Sequence, residues 1–328
     1  MINGTINKIS IVIVNWNGKK WLKKCLDSLT HQDYKNYEII LVDNNSQDDS
    51  VKFVKKNYSS VIIVESKKNL GFAGGNNLGI KKAQGKYILL LNNDTWVEKN
   101  FLSDLFKKYQ ASNFDVASAI DLPYDGDKKD LYVSKIDLLG HSVFINNDNH
   151  RHTREENFFL PGTCLIFEKA FYLITGGLDN NFFMYSEDVD WFWRLLLINK
   201  RFGFVKAYFH HYLSGSTSGG KIKYNIFLWR NQNTLQMLLK NYRWHSLLLL
   251  LPLYLLQNIF EIIFFLIIIH PKIAWSYTEG WIYNIKYIDR IWNARKLIQK
   301  RRLVGDWQIM KKMYKGPGKL YHMYSIFK

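Results

Sequence analysis

Four short apolar runs punctuate the first third of the chain, and each stops abruptly on polar side chains. Residues 9–14 (ISIVIV), 39–42 (IILV), 61–64 (VIIV) and 87–91 (YILLL) have the continuity of strands buried on both faces. Between them the period changes. Trp21, Leu22, Cys25, Leu26 and Leu29 recur at helical spacing, a second helical segment falls around residues 51–56, and a third around 77–83 after a glycine-rich stretch. Strand alternating with helix predicts an α/β fold with a mainly parallel sheet flanked by helices. In such sheets ligands lie beyond the carboxyl ends of the strands. Asn15 and Trp16, Asp43, and the triplet Asn92, Asn93 and Asp94 stand at those ends and are the first candidates for a site. Asn and Asp also turn chains, and Asp43 fits equally well as a cap for the helix after it.

From about residue 115 to 157 the pattern loosens. The polar stretches DLPYDGDKKD and NNDNHRHTREEN read as loops or short antiparallel strands that shape an acceptor pocket. FFLPGTCLIFEKAFYLI restores a strand and a helix, EDVDWFWRLLLINK reads as a helix, and RFGFVKAYFHHY as a returning strand. The last third differs in kind. Residues 247–269 form an apolar run whose only charge is Glu261, long enough to cross a bilayer. Gln257, Asn258 and Glu261 share one helical face and Pro252 would bend the helix. The sequence therefore predicts a hydrophobic hairpin, embedded in a membrane or lying in its plane; a buried helix pair is the alternative.

Charge sharpens the division. Of a formal net charge of +17, residues 1–219 contribute little, with 27 Lys and Arg against 24 Asp and Glu, whereas residues 220–328 carry 18 against 4. Two regions are expected: a domain over residues 1–219, and a helical, hydrophobic and basic membrane-associating region over residues 220–328. Trp275, Trp281 and Trp292 lie among the cations, as suits a headgroup layer on the cytoplasmic side. Cations that flank a lipid-length run point to membrane lipids and away from nucleic acid. Cys25 and Cys164 are the only cysteines, too few for a disulfide framework or a thiolate zinc site. The run at 9–14 is too short for the core of a signal peptide, so a cytoplasmic domain is expected. Truncation after about residue 245 is expected to leave it soluble and able to bind nucleotide.

ISIVIVNWNG, IILVDNNSQDDS, NLGFAGGNNLGI, LLLNNDTWV and FFMYSEDVDWFWRL occur in this order. Together they resemble the family 2 glycosyltransferases of the GT-A fold, and within that family the rhamnosyltransferase-type enzymes that build cell-surface glycans. The resemblance covers residues 8–217 and, more loosely, WRNQ and the apolar tail. It implies a Rossmann-like GT-A domain, a UDP- or dTDP-linked nucleotide-sugar donor and a divalent metal, Mg²⁺ or Mn²⁺. The implied reaction is transfer of one sugar, with inversion, to a glycan or polyprenyl-linked glycan at the cytoplasmic membrane face. Physical chemistry agrees: a diphosphate gains negative charge as its bond to the sugar breaks, and a metal held by one or two carboxylates neutralises it.

By the same resemblance Asp94 is a metal ligand, the last position of a D-x-D element whose first position is Asn92 here. That asparagine removes one negative charge and lowers the expected metal affinity. Asn15, Trp16, Asp43, Asn69, Gly71, Asn76, Asn92 and Asn93 are expected around the donor, with Asp43 accepting the imide N–H of the base. The glycine-rich stretch matches neither a dinucleotide fingerprint nor a P-loop, and its glycines are expected to let backbone approach the donor. Asp188 is the expected catalytic base, taking the proton from the acceptor hydroxyl. Glu187 and Asp190 are given acceptor-orienting or structural roles, since acids favour a helix start and Asp190 and Arg194 are spaced for an ion pair. His210 is expected to complete the metal site; its neighbour His211 would face the other way on a strand. Processive relatives carry Q-x-x-R-W, whereas here Lys240 stands where Gln should precede Arg243 and Trp244, so one sugar per encounter is expected. The alternative is a non-catalytic nucleotide-sugar-binding membrane protein that retains the fold.

Overall fold

In the computed structural model residues 7–125, 132–146, 157–212 and 224–319 are described. Much of the two polar stretches between residues 121 and 157, and the expected boundary at 219, lie outside them. Strand and helix alternate at first: β1 (Ile9–Asn15), α1 (Lys19–Thr30), β2 (Tyr37–Asp43), α2 (Ser50–Asn57), β3 (Val61–Glu65), α3 (Gly71–Lys82) and β4 (Tyr87–Leu91). There follow β5 (Thr95–Trp96), α4 (Phe101–Gln110), β6 (Val116–Pro123), β7 (Tyr132–Ile136), β8 (Ser142–Asn146), β9 (Cys164–Glu168), α5 (Lys169–Thr175), α6 (Glu187–Leu197) and β10 (Phe202–His211). Five helices close the described chain: α7 (Tyr224–Asn241), α8 (Trp244–Ile267), α9 (Pro271–Lys286), α10 (Ile288–Arg301) and α11 (Asp306–Met310).

Eight strands form one mixed, mainly parallel sheet in the order β3-β2-β1-β4-β9-β6-β10-β5. β9 enters antiparallel between β4 and β6, and β5 pairs antiparallel with the end of β10. The continuous apolar runs follow from burial on both faces. Ile11, Ile13, Leu89 and Leu91 join an apolar layer with α1 and α4, while Val12, Ile40, Ile88 and Leu90 join another with α3 and α6. The α/β expectation therefore holds.

Three local expectations need correction. Residues 116–119, read as loosened pattern, are the buried start of β6 inside the sheet; the small side chains of VASA leave no apolar run to read. The glycine-rich stretch is helix, not loop, from Gly71 onward. A Cβ at Gly75 would meet Val14 at 2.7 Å, and one at Gly79 would meet Val12 at 2.4 Å, so these glycines let α3 lie against β1. The apolar run at 247–269 is not a hairpin either: α8 continues through Pro252 as one helix.

The closing helices are built into the same core as the sheet. Trp193 of α6 packs edge-on against Tyr242 after α7, and Leu247, Leu250 and Tyr254 of α8 belong to the same apolar cluster. After α10 the chain returns, and Leu303 and Val304 donate backbone N–H groups to the Leu197 carbonyl. Between α6 and α7 lies a buried ion network. Lys240 Nζ stands 2.7 Å from Asp179 and 3.0 Å from Asp190, and Asp190 also accepts from Arg194 at 2.9 Å and Asn241 at 3.1 Å.

Two stability predictions follow from this joint. Lys240→Ala leaves two carboxylates in the interior with one fewer cation, and should cost about 3–5 kcal/mol in urea unfolding. A loss below about 1 kcal/mol would mean that water or a neighbour compensates. Truncation after residue 245, expected from the sequence to leave a folded domain, should instead strip Leu247, Leu250 and Tyr254 from the shared core and remove Met313 and Arg295 from Tyr242. The truncated chain is predicted to lose its cooperative thermal transition; a sharp transition near that of the full chain would show an independent core.

Candidate active site

Each parallel strand ends by delivering a polar side chain to the same edge. Asn15 and Asp43 are register partners at the ends of β1 and β2. Asn15 is fully buried; its Oδ1 accepts from Asn93 at 2.8 Å, which ties β1 to the turn after β4. Gly18 permits this closeness, because a Cβ there would lie 2.3 Å from Asn93 and 2.5 Å from Asn15. Asp43 is buried and its Oδ2 accepts the Ser46 N–H, but Oδ1 has no partner among the described residues. Trp16 is 54% exposed beside this pair. The strand-end residues thus make one polar floor with a free acceptor and an aromatic edge.

Asp94 turns the chain after β4 and is buried. The pairing of β5 with β10 sets His211 opposite Thr95 and His210 opposite Trp96. His211 faces the carboxylate: its Nε2 lies 3.4 Å from Asp94, and its Nδ1 lies 3.2 Å from Asp121 on β6. His210, the histidine expected at the metal, points elsewhere. Its ring stacks on Trp96 at 3.8 Å and its Nδ1–H donates to the Pro123 carbonyl. Strand alternation decides between the two, and the sequence alone could not phase it. Burial by itself would push the His211 imidazole down, but the carboxylates of Asp121 and Asp94 outweigh it and hold the pKa at about 9.

Among the described residues no group of three or more His, Cys, Asp and Glu is arranged to hold a metal alone. Asp94 with Nε2 of His211 nevertheless suits a divalent ion that takes its remaining ligands from a diphosphate. A second observation supports the fit: Asp121 orients His211 through Nδ1, as carboxylates behind metal-binding imidazoles do.

Across β4 and β9 lies the acidic start of α6. The Asn92 N–H donates to the Thr163 carbonyl, and the neighbouring Gly162 N–H donates to Asp188 Oδ2 at 3.1 Å. Asp188 therefore sits beside the Asn92–Asp94 turn. Glu187 is buried with Oε2 unpartnered; burial, then the Asp188 charge, push its pKa up to about 8. Desolvation raises Asp188 as well, against the backbone N–H groups of Val189 and Gly162 that favour its charged form. Asp190 points away, into the ion network with Arg194 and Lys240.

The approach to α6 is strained and held. Tyr185 and Ser186 have φ of 70° and 65°, left-handed values that side chains disfavour. Asn233 of α7 is fully buried and its Nδ2 donates to the carbonyls of Met184 and Tyr185 at 2.9 and 2.8 Å. On the other side Phe72 N–H donates to the Phe183 carbonyl, where a Cβ on Gly71 would collide at 1.9 Å. Gly71, at φ 72°, is thus needed for this contact. Asn69 caps the Gly71 N–H, and Asn76, buried in α3, donates its amide to the Phe72 carbonyl.

Sequence reasoning missed His211's orientation, Asp121, Asn233 and the burial of Lys240. Asp121 lay in the stretch read as loops or short antiparallel strands. Asn233 belongs to the WRNQ segment, whose polar run inside a helix was a usable signal for a buried contact.

The profile of glycosyl transferase family 2 matches residues 10–173, half of this chain. The glycosyltransferase GlyA of Streptococcus pneumoniae is 32% identical over 114 residues, covering 34% of this chain and 16% of that protein. The chain spans less than half the length of the curated relatives it matches. In fold it is similar to GalNAc-T7, solved with UDP, GalNAc and Mn²⁺, at a TM-score of 0.59 and 16% identity over 71% of this chain and 47% of that one. It is also similar to residues 1–349 of S. aureus TarS, solved with UDP, at a TM-score of 0.51 and 19% identity over 74% and 69%. With its sheet of GT-A type and half its length in the family profile, the chain belongs to glycosyl transferase family 2.

Proposed function

We propose that the protein transfers one sugar, with inversion, from a UDP- or dTDP-linked donor to a glycan or polyprenyl-linked glycan at the cytoplasmic face of a membrane. The observation that carries this reading is the convergence, at one sheet edge, of a free acceptor on Asp43, the facing pair Asp94 and His211, and the buried acids Glu187 and Asp188. The UDP and Mn²⁺ of the structural relatives support the donor class. The rhamnosyltransferase-type resemblance makes a hexose or deoxyhexose the expected sugar.

Asp43 Oδ1 accepts the imide N–H of the base, with Trp16 against the nucleoside. Asp94 and His211 Nε2 would hold the divalent ion, which when bound supplies neutralising charge to the leaving diphosphate. Asp188 takes the acceptor hydroxyl proton as that oxygen bonds to the anomeric carbon. The bond from that carbon to the diphosphate oxygen breaks, and its electron pair leaves with the nucleoside diphosphate. One in-line displacement inverts the centre. Asn233 and Gly71 fix the turn that delivers Asp188. Lys240, in place of the processive glutamine, is locked between Asp179 and Asp190 and cannot reach a glycan, which supports single addition.

Metal and base are tested separately. Asp94→Ala and His211→Ala should each weaken Mn²⁺-dependent nucleotide binding by about 10- to 100-fold in calorimetry, while His210→Ala keeps it and loses stability instead. Equal loss at His210 would contradict the orientation described above. For the base, Asp188→Asn should cut transfer by about 10²- to 10⁴-fold with donor affinity nearly intact. The pH profile carries the sign: a base must be deprotonated, and burial raises the Asp188 carboxyl above its ordinary range, so turnover should fall on the acid side at a higher pH than an exposed aspartate would give. Glu187, whose own pKa is pushed up to about 8, is neutral where Asp188 titrates, so Glu187→Gln should leave that acid limb in place. A limb that moves with Glu187→Gln would assign the titration to Glu187 and not to Asp188.

A further inference from the structure

The membrane reading leaves open whether α8 crosses the bilayer. We infer that it does not: α8 lies in the plane of an anionic bilayer, with one face in lipid and the other on the protein. This rests on the membrane-associated reading proposed above.

α8 has its polarity reversed for a protein in water. Leu248, Leu249, Leu253, Leu256, Phe260 and Ile267 point outward and are 49–74% exposed. The polar residues of the same helix point inward: Gln257 lies 3.4 Å from His141, Asn258 is fully buried, and Glu261 pairs with Lys319 at 2.5 Å. An exposed apolar face of this length, with the polar groups turned inside, calls for an apolar medium.

What packs on the inner face sets the orientation. With 24 residues, α8 is about 36 Å long, enough to span hydrocarbon. Yet its midpoint rests on the sheet domain. Tyr254 donates to the Asn231 carbonyl of α7 and lies over His141, in the turn between β7 and β8. Further along, Lys319 meets Glu261, and the adjacent Gly318 N–H donates to the buried Asp137. A spanning α8 would carry His141, Asp137 and Lys319 to the bilayer centre, where ionisable groups are costly. Lying flat, the helix keeps all of them on the aqueous side, its outer face about 5–10 Å below the headgroups.

Charge complementarity names the lipid. Residues 270–319 carry 12 Lys and Arg against 3 Asp and Glu. On α10 the exposed Lys296, Lys300 and Arg301 alternate with exposed Trp292 and Leu297, a mixture that fits an anionic headgroup layer. The same plane would bring a lipid-linked acceptor to the protein from one side.

The test labels both ends of α8 in the full chain. Cys25 and Cys164 are buried, with burial pushing both thiols up to about 12, so the wild type serves as the unreactive blank. His245→Cys and His270→Cys are expressed separately, and sealed inverted membrane vesicles are treated with an impermeant maleimide before and after detergent. Both ends should label before detergent. Labelling of only one end, or of neither, overturns the in-plane orientation; recovery of the protein solely in the soluble fraction overturns the membrane reading beneath it. A companion measurement guards the chemistry. Purified protein should float with phosphatidylglycerol vesicles at least about tenfold better than with phosphatidylcholine vesicles, the difference shrinking in salt. Phe260→Glu should fold normally and abolish flotation. Flotation unaffected by that substitution, or a concentration-dependent dimer that replaces vesicle binding, would assign the face to another occupant.

Discussion

A buried carboxylate is costly unless its oxygens are paired, and that constraint organises the site edge of this molecule. Most interior acids have partners: Asp190 has Arg194, Lys240 and Asn241, and Asp306 has Arg302 and Ser246. The exceptions cluster. Among the described residues, the buried carboxylate oxygens left without a partner belong to Asp43, Asp121 and Glu187, all at or beside the carboxyl edge of the sheet. An interior that satisfies its acids elsewhere and not here marks this edge as the candidate site.

The helices after residue 223 buttress this edge. Asn233 holds the left-handed pair at Tyr185 and Ser186, and Lys240 clamps α6 to α7 through Asp179 and Asp190. The acids at the start of α6 are therefore oriented by a helix far along the chain. On its far side the same helical layer leaves α8 with an apolar face and a basic surround. One layer thus links the acids at the start of α6 to the apolar face of α8, which under the proposed function is a mechanical reason for catalysis and membrane attachment to share a chain.

Much of this was legible in the sequence. Continuous apolar runs ending on Asn15, Asp43 and Asn92–Asp94 predicted a parallel sheet and the strand ends that the structure brings to one edge, because strands buried on both faces read as unbroken apolar runs. Pairing across long distances was not legible. β6 was hidden because Ala117, Ser118 and Ala119 are small, and without β6 there was no reason to suspect Asp121. His210 and His211 could not be phased, since a register set by Thr95 and Trp96 decides which ring meets Asp94. The glycines of α3 were misread as loop residues because glycine marks close approach as well as turns, and here the approach is to Val12 and Val14. The buried role of Lys240 depended on α6 and α7 packing together, which no local pattern encodes.

The central claim is spatial: diphosphate, metal and acceptor meet at this one edge. Crystals grown with a nucleoside diphosphate and Mn²⁺ would test it directly through the anomalous signal of manganese. The account predicts a peak ligated by Asp94 and Nε2 of His211, the base on Asp43, and the diphosphate terminus facing Asp188. A peak on other residues, or a nucleotide bound away from Asp43, would contradict it.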